Sequence, residues 1–576
     1  MRRQGLFFLL LLLFSFVIVA FGHPVWIGWL GLVAGIAGYA LFWKGMLMLP
    51  TAKKRLWMAA VWFAAVQAVQ FFWVLSNTYI GAPAYPLYGI LCLGMGLQFG
   101  LVCLLIPVSS PLTMKRIAVI ASAWTLMEWG RLFIFTGFPW SPSGLVLSAH
   151  LFPLQTFSLW GIYGACFWVM FTNLLALRFL VTARWGLFGW TFVFAALFPY
   201  LFGFAYVTFY ERQDSLSSPP TLSIALVQTA LTPEQKSEAF SQGVSLSPAR
   251  QWEGILKLLK KQQGSSLDMI ILPEAVVPFG TDTPFCSINN VSRVFEGVLG
   301  SGVGKGLPPL EAPAAQLVNT PDGDVWAGGN IYFSQMLSNA FNTPVIVGLS
   351  SFDAAEVAGD GKPHSYNAAF FLQPHAKQRL RYEKQLLLPM AEYIPLSWIK
   401  SFLASYGIFD SFTPGREAKV FQVKKIPFSI SICSEDIYGD LIRKQRLLGS
   451  QLFVNISNDA WYPHSKLSKQ HFALGRLRAV ENGVPLVRSA NAGVVGFVDR
   501  FGRVVQALDV EGVGGQWLSD SLLVQVPIQT HKTLYTYAGD VPVIALSIFC
   551  LATFFLARFL KRTKQGELPR PKGRGF

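Results

Sequence analysis

Phe428-Ser429-Ile430-Ser431-Ile432-Cys433-Ser434-Glu435-Asp436 is the stretch on which the reading of this chain turns. Residues 428–432 have the composition of a short buried strand, and a helix is expected to begin just behind the cysteine. A core strand has no packing reason to end on Cys-Ser-Glu-Asp. A nucleophilic thiol does have a reason, because polar neighbours and a helix N-terminus would both favour the thiolate. Without such surroundings a free cysteine is a small, inert packing residue, so the rest of the chain must say which it is.

Working outward, further strands of the same kind fall at Leu222 to Val227, Met269 to Leu272, Val345 to Leu349, Leu452 to Ile456 and Leu486 to Arg488. Amphipathic stretches at 248–261 and 465–482 lie between some of them. The pattern predicts an α/β or layered α+β domain in which helices cover sheets. Two more strand ends carry polar groups. Leu272-Pro273-Glu274 puts a carboxylate after an apolar run, and Tyr382-Glu383-Lys384-Gln385 precedes the apolar loop Leu386 to Tyr393, which contains Glu392. Singly, each reads as a solvated residue at a strand end.

Together they are the parts of covalent acyl transfer. Cys433 would attack an acyl carbon, Glu274 would take the thiol proton, and Lys384 would stabilise the oxyanion. Glu392 would hold Lys384 charged and aimed, unless it only caps a turn. Histidines occur at 364, 375, 464 and 471 in this region, but none falls at an apparent strand end, which disfavours a Cys-His pair. No CxxC or Cys/His zinc spacing is present, and neither a metal nor another cofactor is expected.

The 576 residues are 52% hydrophobic and 14% charged, too apolar for an ordinary soluble enzyme. Charge is scarce before about residue 210, and seven apolar stretches of membrane-spanning length fall near 5–22, 25–43, 56–75, 86–106, 117–136, 160–181 and 187–208, with an eighth at Val541 to Phe559. The expected domains are a membrane body over 1–209, a soluble domain over 210–535, and a last helix with a basic tail over 536–576. The first stretch reads as an uncleaved anchor, because Phe21-Gly22-His23-Pro24 is a poor cleavage site. Net charge is +16, but the basic residues cluster beside apolar stretches, as topology signals do, and nucleic-acid binding is not expected. Arg2-Arg3, Lys44 with Lys53-Lys54-Arg55, Lys115-Arg116, and Arg178 with Arg184 alternate with connections that carry no Lys or Arg. That alternation predicts both termini inside the cell and residues 210–535 outside. Glu128 and Arg131 lie within the fifth span, either as a self-neutralising pair or as a lipid headgroup contact.

The ordered trio Glu274, Lys384 and Cys433, with Asn455-Ile456-Ser457-Asn458-Asp459-Ala460-Trp461 and Arg488 to Gly493 behind it, resembles the nitrilase superfamily. That resemblance implies a Glu-Lys-Cys triad on an α-β-β-α sandwich, with Glu392 and Glu435 supporting the site and Asn458 and Trp461 near it. Glu128-Trp129-Gly130-Arg131 and Phe135-Thr136-Gly137-Phe138-Pro139-Trp140 resemble the membrane signature of the apolipoprotein N-acyltransferases. Thr533 to Asp540 is similar to the segment before their last helix. The family implies a phospholipid acyl donor, a diacylglyceryl-prolipoprotein acceptor, and a bacterial inner-membrane enzyme with a periplasmic catalytic domain. The sequence departs from the family at Ser434, where an aromatic residue is common, and at 283–330, a Gly-, Pro- and Ala-rich stretch expected to be an enlarged loop. Cys286 in that stretch is a conceivable disulfide partner for Cys433. The rival functions are a membrane-tethered amidase whose acyl-enzyme is hydrolysed by water, and a transporter with an inactive sensor domain; the intact trio disfavours the second.

Overall fold

The computed structural model describes residues 2–566 apart from 77, 80, 109, 111, 184, 217, 237–242, 355–360, 397–411 and 509–516. Arg184, used above for orientation, lies outside the described residues, as do the side chains of Lys561, Arg562 and Lys564.

Helices occupy all eight predicted apolar stretches. They run Arg2–Phe21, Gly28–Val33 continuing through a π turn into Tyr39–Met46, Ala52–Gln70, Ala84–Cys103, Met114–Gly130, Phe157–Thr182, Leu187–Asp214 and Val541–Gly566. Six of these segments are long and apolar enough to cross a membrane: Arg3–Phe21, Gly28–Met46, Ala84–Cys103, Phe157–Thr182, Leu187–Asp214 and Val541–Leu560. Helix Ala52–Gln70 opens on Lys53-Lys54-Arg55, and helix Met114–Gly130 has only 17 residues and opens on Lys115-Arg116. Small residues bring the helices together. At Gly96 a Cβ would run into the Ala60 carbonyl, so helices Ala52–Gln70 and Ala84–Cys103 touch backbone to backbone there.

The α/β domain is built on two six-stranded sheets. One runs, edge to edge, Asp520–Pro527, Thr221–Gln228, Met269–Ile271, Val345–Asp353, His364–Leu372 and Leu380–Glu383. The other runs Val504–Ala507, Gly496–Val498, Leu486–Ala490, Leu452–Ser457, Ile426–Ile432 and Val420–Val423. The period of two along each strand decides how they stack. Leu222, Ile224 and Leu226 meet Phe428, Ile430, Ile432, Leu452, Val454 and Ile456 in a core between the sheets. Ala225 and Val227 point the other way, to helices Pro248–Lys260 and Asn330–Phe341 through Trp252, Ile255 and Phe333. Phe453 and Leu486 likewise face helices Gly439–Leu447 and Leu467–Asn482. The result is the expected α-β-β-α sandwich. Strands Met269–Ile271 and Val345–Asp353 are parallel, and two antiparallel steps beyond them bring Leu380–Glu383 back to the same direction. Glu274 and Lys384 therefore follow strands that end on one edge of the sandwich.

The stretch 283–330 is not a simple loop. It holds helix Ile288–Leu299 and hairpin strands Ala315–Thr320 and Gly323–Gly328, the latter paired with Cys286–Ser287. Val291, Phe295 and Val298 give that helix an apolar face, buried with Trp252 and Phe333. The Gly and Pro residues sit around it and hide its period. Cys286 packs in this outer core while Cys433 borders the core between the sheets, and both are free thiols.

The α/β domain is seated firmly on the apolar helices. Leu467, Leu474, Leu477 and Val480 share one core with Trp124, Leu154, Phe157 and Leu174. Trp73 Nε1 donates to Gln470 Oε1 at 2.8 Å, Ser76 Oγ to the Pro463 carbonyl at 3.0 Å, and Gln155 Nε2 to the Phe501 carbonyl at 2.9 Å. Arg500 pairs with Asp214 at 2.5 Å.

Candidate active site

Glu274, Lys384, Cys433, Glu392 and Glu435 converge, although up to 161 positions separate them along the chain, from 274 to 435. Lys384 is the hub. Its Nζ lies 2.8 Å from Glu392 Oε2 and 3.6 Å from Glu274 Oε1, so Glu392 is the tighter partner. Asn367 Nδ2 donates to Glu274 Oε1 at 2.7 Å and to Glu392 Oε1 at 2.8 Å, fixing both carboxylates. Leu388 N–H donates to Glu392 Oε2 at 2.8 Å, which ties the apolar loop to the site. Glu274 also lies close enough to Cys433 for each to shift the other's protonation.

The charges follow from burial and contact. Burial raises the Glu274 carboxyl above the ordinary carboxylate range, Lys384 opposes that rise, and the Glu392 charge adds to it. Burial acts against the Lys384 charge, but Glu392 and Glu274 outweigh it and hold the ammonium well above its usual pKa. Burial, then Glu274, push the Cys433 thiol well above its usual value, with Lys384 opposing. The resting site is therefore a neutral thiol beside a base and a fixed cation.

This corrects one expectation from sequence. The segment behind the nucleophile, Cys433–Ile437, is a tight 3-10 turn, and the α-helix begins only at Gly439. A helix N-terminus so far on does not generate the thiolate, because the dipole acts only within its first turn. The carboxylate that acts on the thiol most strongly is Glu274. The turn also places Cys433 at φ +52°, lifting its side chain from the strand end while part of its surface stays open.

Glu435 is completely buried and braces this turn. Its carboxylate accepts from Ile432 N–H at 2.8 Å, Gln385 N–H at 2.6 Å and the Tyr382 hydroxyl at 2.9 Å, so it ties the Lys384 strand end to the Cys433 turn. Burial pushes its carboxyl up to about 7 against these backbone donors.

Asn458 accepts from Asn491 Nδ2 at 2.9 Å. Trp461 is 38% exposed and meets the Tyr79 ring edge to face. Glu128 and Arg131 form a buried pair at 3.2 Å, and Glu128 accepts from Ser143 N–H at 2.8 Å and its hydroxyl at 3.0 Å. Those contacts are internal to the membrane body. The neighbouring motif does reach the site: Thr136 Oγ1 donates to the Leu387 carbonyl at 2.9 Å, and the Tyr438 hydroxyl to the Gly137 carbonyl at 3.0 Å.

Two residues escaped the sequence reading. Asn367 was legible in principle as a lone amide inside the apolar strand His364–Leu372. Buried Lys236, whose Nζ donates to the Ala275 carbonyl at 2.6 Å beside Glu274, ends the helix Pro233–Lys236, which at four residues is too short to leave a period in the sequence. Burial lowers its pKa to about 8, against the Glu274 charge.

This sandwich and site define a class, and the chain belongs to the carbon-nitrogen hydrolase family, whose profile matches residues 223–539, more than half of its length. A second profile, the apolipoprotein N-acyltransferase N-terminal domain, matches residues 46–175. The chain is similar over nearly its whole length to apolipoprotein N-acyltransferases, 29% identical to that of Chlamydia caviae across 97% of this chain and 100% of the relative. It is 27% identical to that of Geobacter metallireducens, across 89% of this chain and 83% of the relative. Among solved structures, Saccharomyces cerevisiae Nit3 of the nitrilase superfamily aligns with 56% of this chain and 94% of its own at 15% identity and a TM-score of 0.33.

Proposed function

We propose that this chain transfers a fatty acyl group from a membrane phospholipid, through a thioester on Cys433, to the α-amino group of the N-terminal S-diacylglyceryl-cysteine of apolipoproteins. The observation that carries the reading is the joining of the two halves. The loop bearing Glu392 and the nucleophile turn are each hydrogen-bonded to the membrane loop at Thr136 and Gly137. A nucleophile held against a membrane body suits an acyl donor that arrives in lipid. The full-length similarity to apolipoprotein N-acyltransferases supports the acceptor.

The chemistry runs in two balanced halves. Cys433 Sγ attacks the phospholipid ester carbonyl while Glu274 takes the thiol proton, and Lys384 with its fixed ammonium stabilises the oxyanion. The C–O bond breaks, and Glu274 returns the proton to the departing lysophospholipid. The acceptor amine then attacks the thioester, Glu274 takes its proton and passes it to the leaving Cys433 sulfur. The raised pKa of Glu274 suits both roles, since the base that takes each proton must also give it back. The catalytic domain lies on the periplasmic side of the bacterial inner membrane, as the charge pattern of the loops supports.

The test uses purified full-length enzyme with phospholipid labelled in its acyl chain. The expected result is a thioester on Cys433, none on the Cys433→Ser variant, and transfer of label to a diacylglyceryl lipopeptide with a free amine. Release of free fatty acid at the same rate with and without lipopeptide would refute the transferase reading.

A further inference from the structure

A second charged cluster lies beneath the nucleophile turn, and the proposed chemistry does not use it. Asp436, Asp459, His471 and Arg488 are all buried, at 3% exposure or less. His471 Nε2 stands 2.9 Å from Asp436 Oδ1, and its Nδ1 stands 2.9 Å from Asp459 Oδ1. Arg488 completes the ring, with Nη1 donating to Asp436 Oδ2 at 2.8 Å and Nη2 to Asp459 Oδ2 at 3.2 Å. Each carboxylate thus bridges both basic side chains. Charge balance decides the state of the imidazole. With a neutral ring, two buried carboxylates would face a single guanidinium, and an uncompensated buried charge is strongly unfavourable. Arg488 Nη2 also lies 2.8 Å from Nδ1, a hydrogen bond that only the neutral ring could accept, while Asp459 Oδ1 at 2.9 Å from the same nitrogen calls for a proton there, and the charge balance favours the proton.

This cluster touches the nucleophile through its backbone. His471 Nε2 is 3.2 Å from the Cys433 carbonyl oxygen, which also accepts from Asn455 Nδ2 at 3.1 Å. Cys433 sits at φ +52°, a conformation that L side chains disfavour, so the surroundings must hold it there. Asp436 belongs to the same tight turn, three residues on. Both ends of that turn are therefore fastened to one ring.

We propose that His471 is a positioning residue whose imidazolium, locked between Asp436 and Asp459, grips the Cys433 carbonyl and keeps the nucleophile aimed at Glu274 and Lys384. The groups facing the ring are Asp436 from the turn, Asp459 from the end of strand Leu452–Ser457, Arg488 from strand Leu486–Ala490, and the uncharged Trp140 of the membrane body, 5.7 Å away between ring centroids. Burial and Arg488 work against the charged ring, but the two aspartates outweigh them and lift its pKa to about 9. A histidine raised above its unfolded value keeps its contribution below the ordinary pKa near 6.5 and loses it as pH rises through about 9.

The inference rests on the reading of Cys433 as acyl acceptor, so the test uses a donor that does not depend on lipid. Full-length enzyme in detergent is mixed with p-nitrophenyl butyrate, and the nitrophenolate burst reports acylation of Cys433; labelled phospholipid is run in parallel. In the wild type the burst rate should fall as pH rises through about 9. His471→Gln should burst about tenfold to a hundredfold more slowly at pH 7.5, per folded molecule, the scale of a small misplacement of a reacting group. It should also lack the alkaline limb. Asp459→Asn, which removes one of the two supporting carboxylates, should move that limb to lower pH. A His471→Gln enzyme with the wild-type rate and limb, or an Asp459→Asn limb in the wild-type position, would overturn the proposal. A wild type that bursts with the ester but never with phospholipid counts against the phospholipid donor alone, and the ester arm still decides His471.

Discussion

At the scale of single residues, the site depends on where protons rest. Glu274 must be ionised to take the thiol proton, and burial raises its pKa above the ordinary carboxylate value. The neutral acid is inactive, so acylation of Cys433 should increase with pH through a value above the usual 4.5. A burst-rate profile from pH 4 to 8 checks this, and an acid limb at or below the free carboxylate value would exclude Glu274 as the base. Glu392 has a different task. It is the nearer carboxylate to Lys384, at 2.8 Å against 3.6 Å for Glu274. Replacing it by alanine frees the ammonium to swing onto Glu274, which loses both the aimed cation and the free base. Glu392→Ala should slow thioester formation by ~10²-fold, the scale of losing one oriented electrostatic group. A surface turn cap would cost about 1 kcal/mol of stability and leave the chemistry intact. Single-turnover acylation measured beside thermal stability separates these outcomes.

At the scale of elements, the site is a meeting of strand ends that secondary structure alone does not hold together. Strands Leu380–Glu383 and Ile426–Ile432 belong to different sheets. Glu435 spans the gap between them by accepting from Gln385 and Ile432 backbone N–H groups and the Tyr382 hydroxyl. Glu435→Gln would aim an amide donor at some of these donors and leave them unsatisfied. A loss of about 1–3 kcal/mol of stability is expected for each buried group so abandoned, together with slower acylation. Denaturant melts of the full-length protein measure the first and the burst assay the second; a variant unchanged in both would show that Glu435 is not the brace.

At the scale of the whole molecule, orientation in the membrane decides which substrates can meet the site. The alternation of basic loops predicts that the catalytic domain faces out and the tail in. A reporter enzyme active only in the periplasm should be active when fused after about residue 240 and silent after residue 565. The reverse pattern would place Cys433 in the cytoplasm and remove the lipoprotein acceptor. The docking of the two halves also bears on coupling. Trp73 of the membrane body bonds Gln470, the neighbour of His471, so the two domains meet where the nucleophile turn is held.

The sequence by itself determined the long apolar helices and the layered α/β domain, and it singled out Glu274, Lys384 and Cys433, which the fold brings together. Those are signals of local pattern: apolar length for the helices, short β-branched runs for the strands, and polar residues at strand ends for Glu274, Lys384 and Cys433. The helix at Ile288–Leu299 was missed because flanking glycines and prolines masked its period. Only the tertiary structure decided what surrounds the thiol, since the 3-10 turn at Cys433 and the burial that raises its pKa arise from packing. It alone showed what Asn367, Lys236 and the ring around His471 touch. Their partners lie far away in sequence, His471 being 38 residues from the Cys433 carbonyl it approaches and Asn367 being 93 from Glu274. A hydrogen bond across such a distance leaves no periodicity in the chain, because it is specified by the stacking of the sheets and not by any neighbour along the backbone.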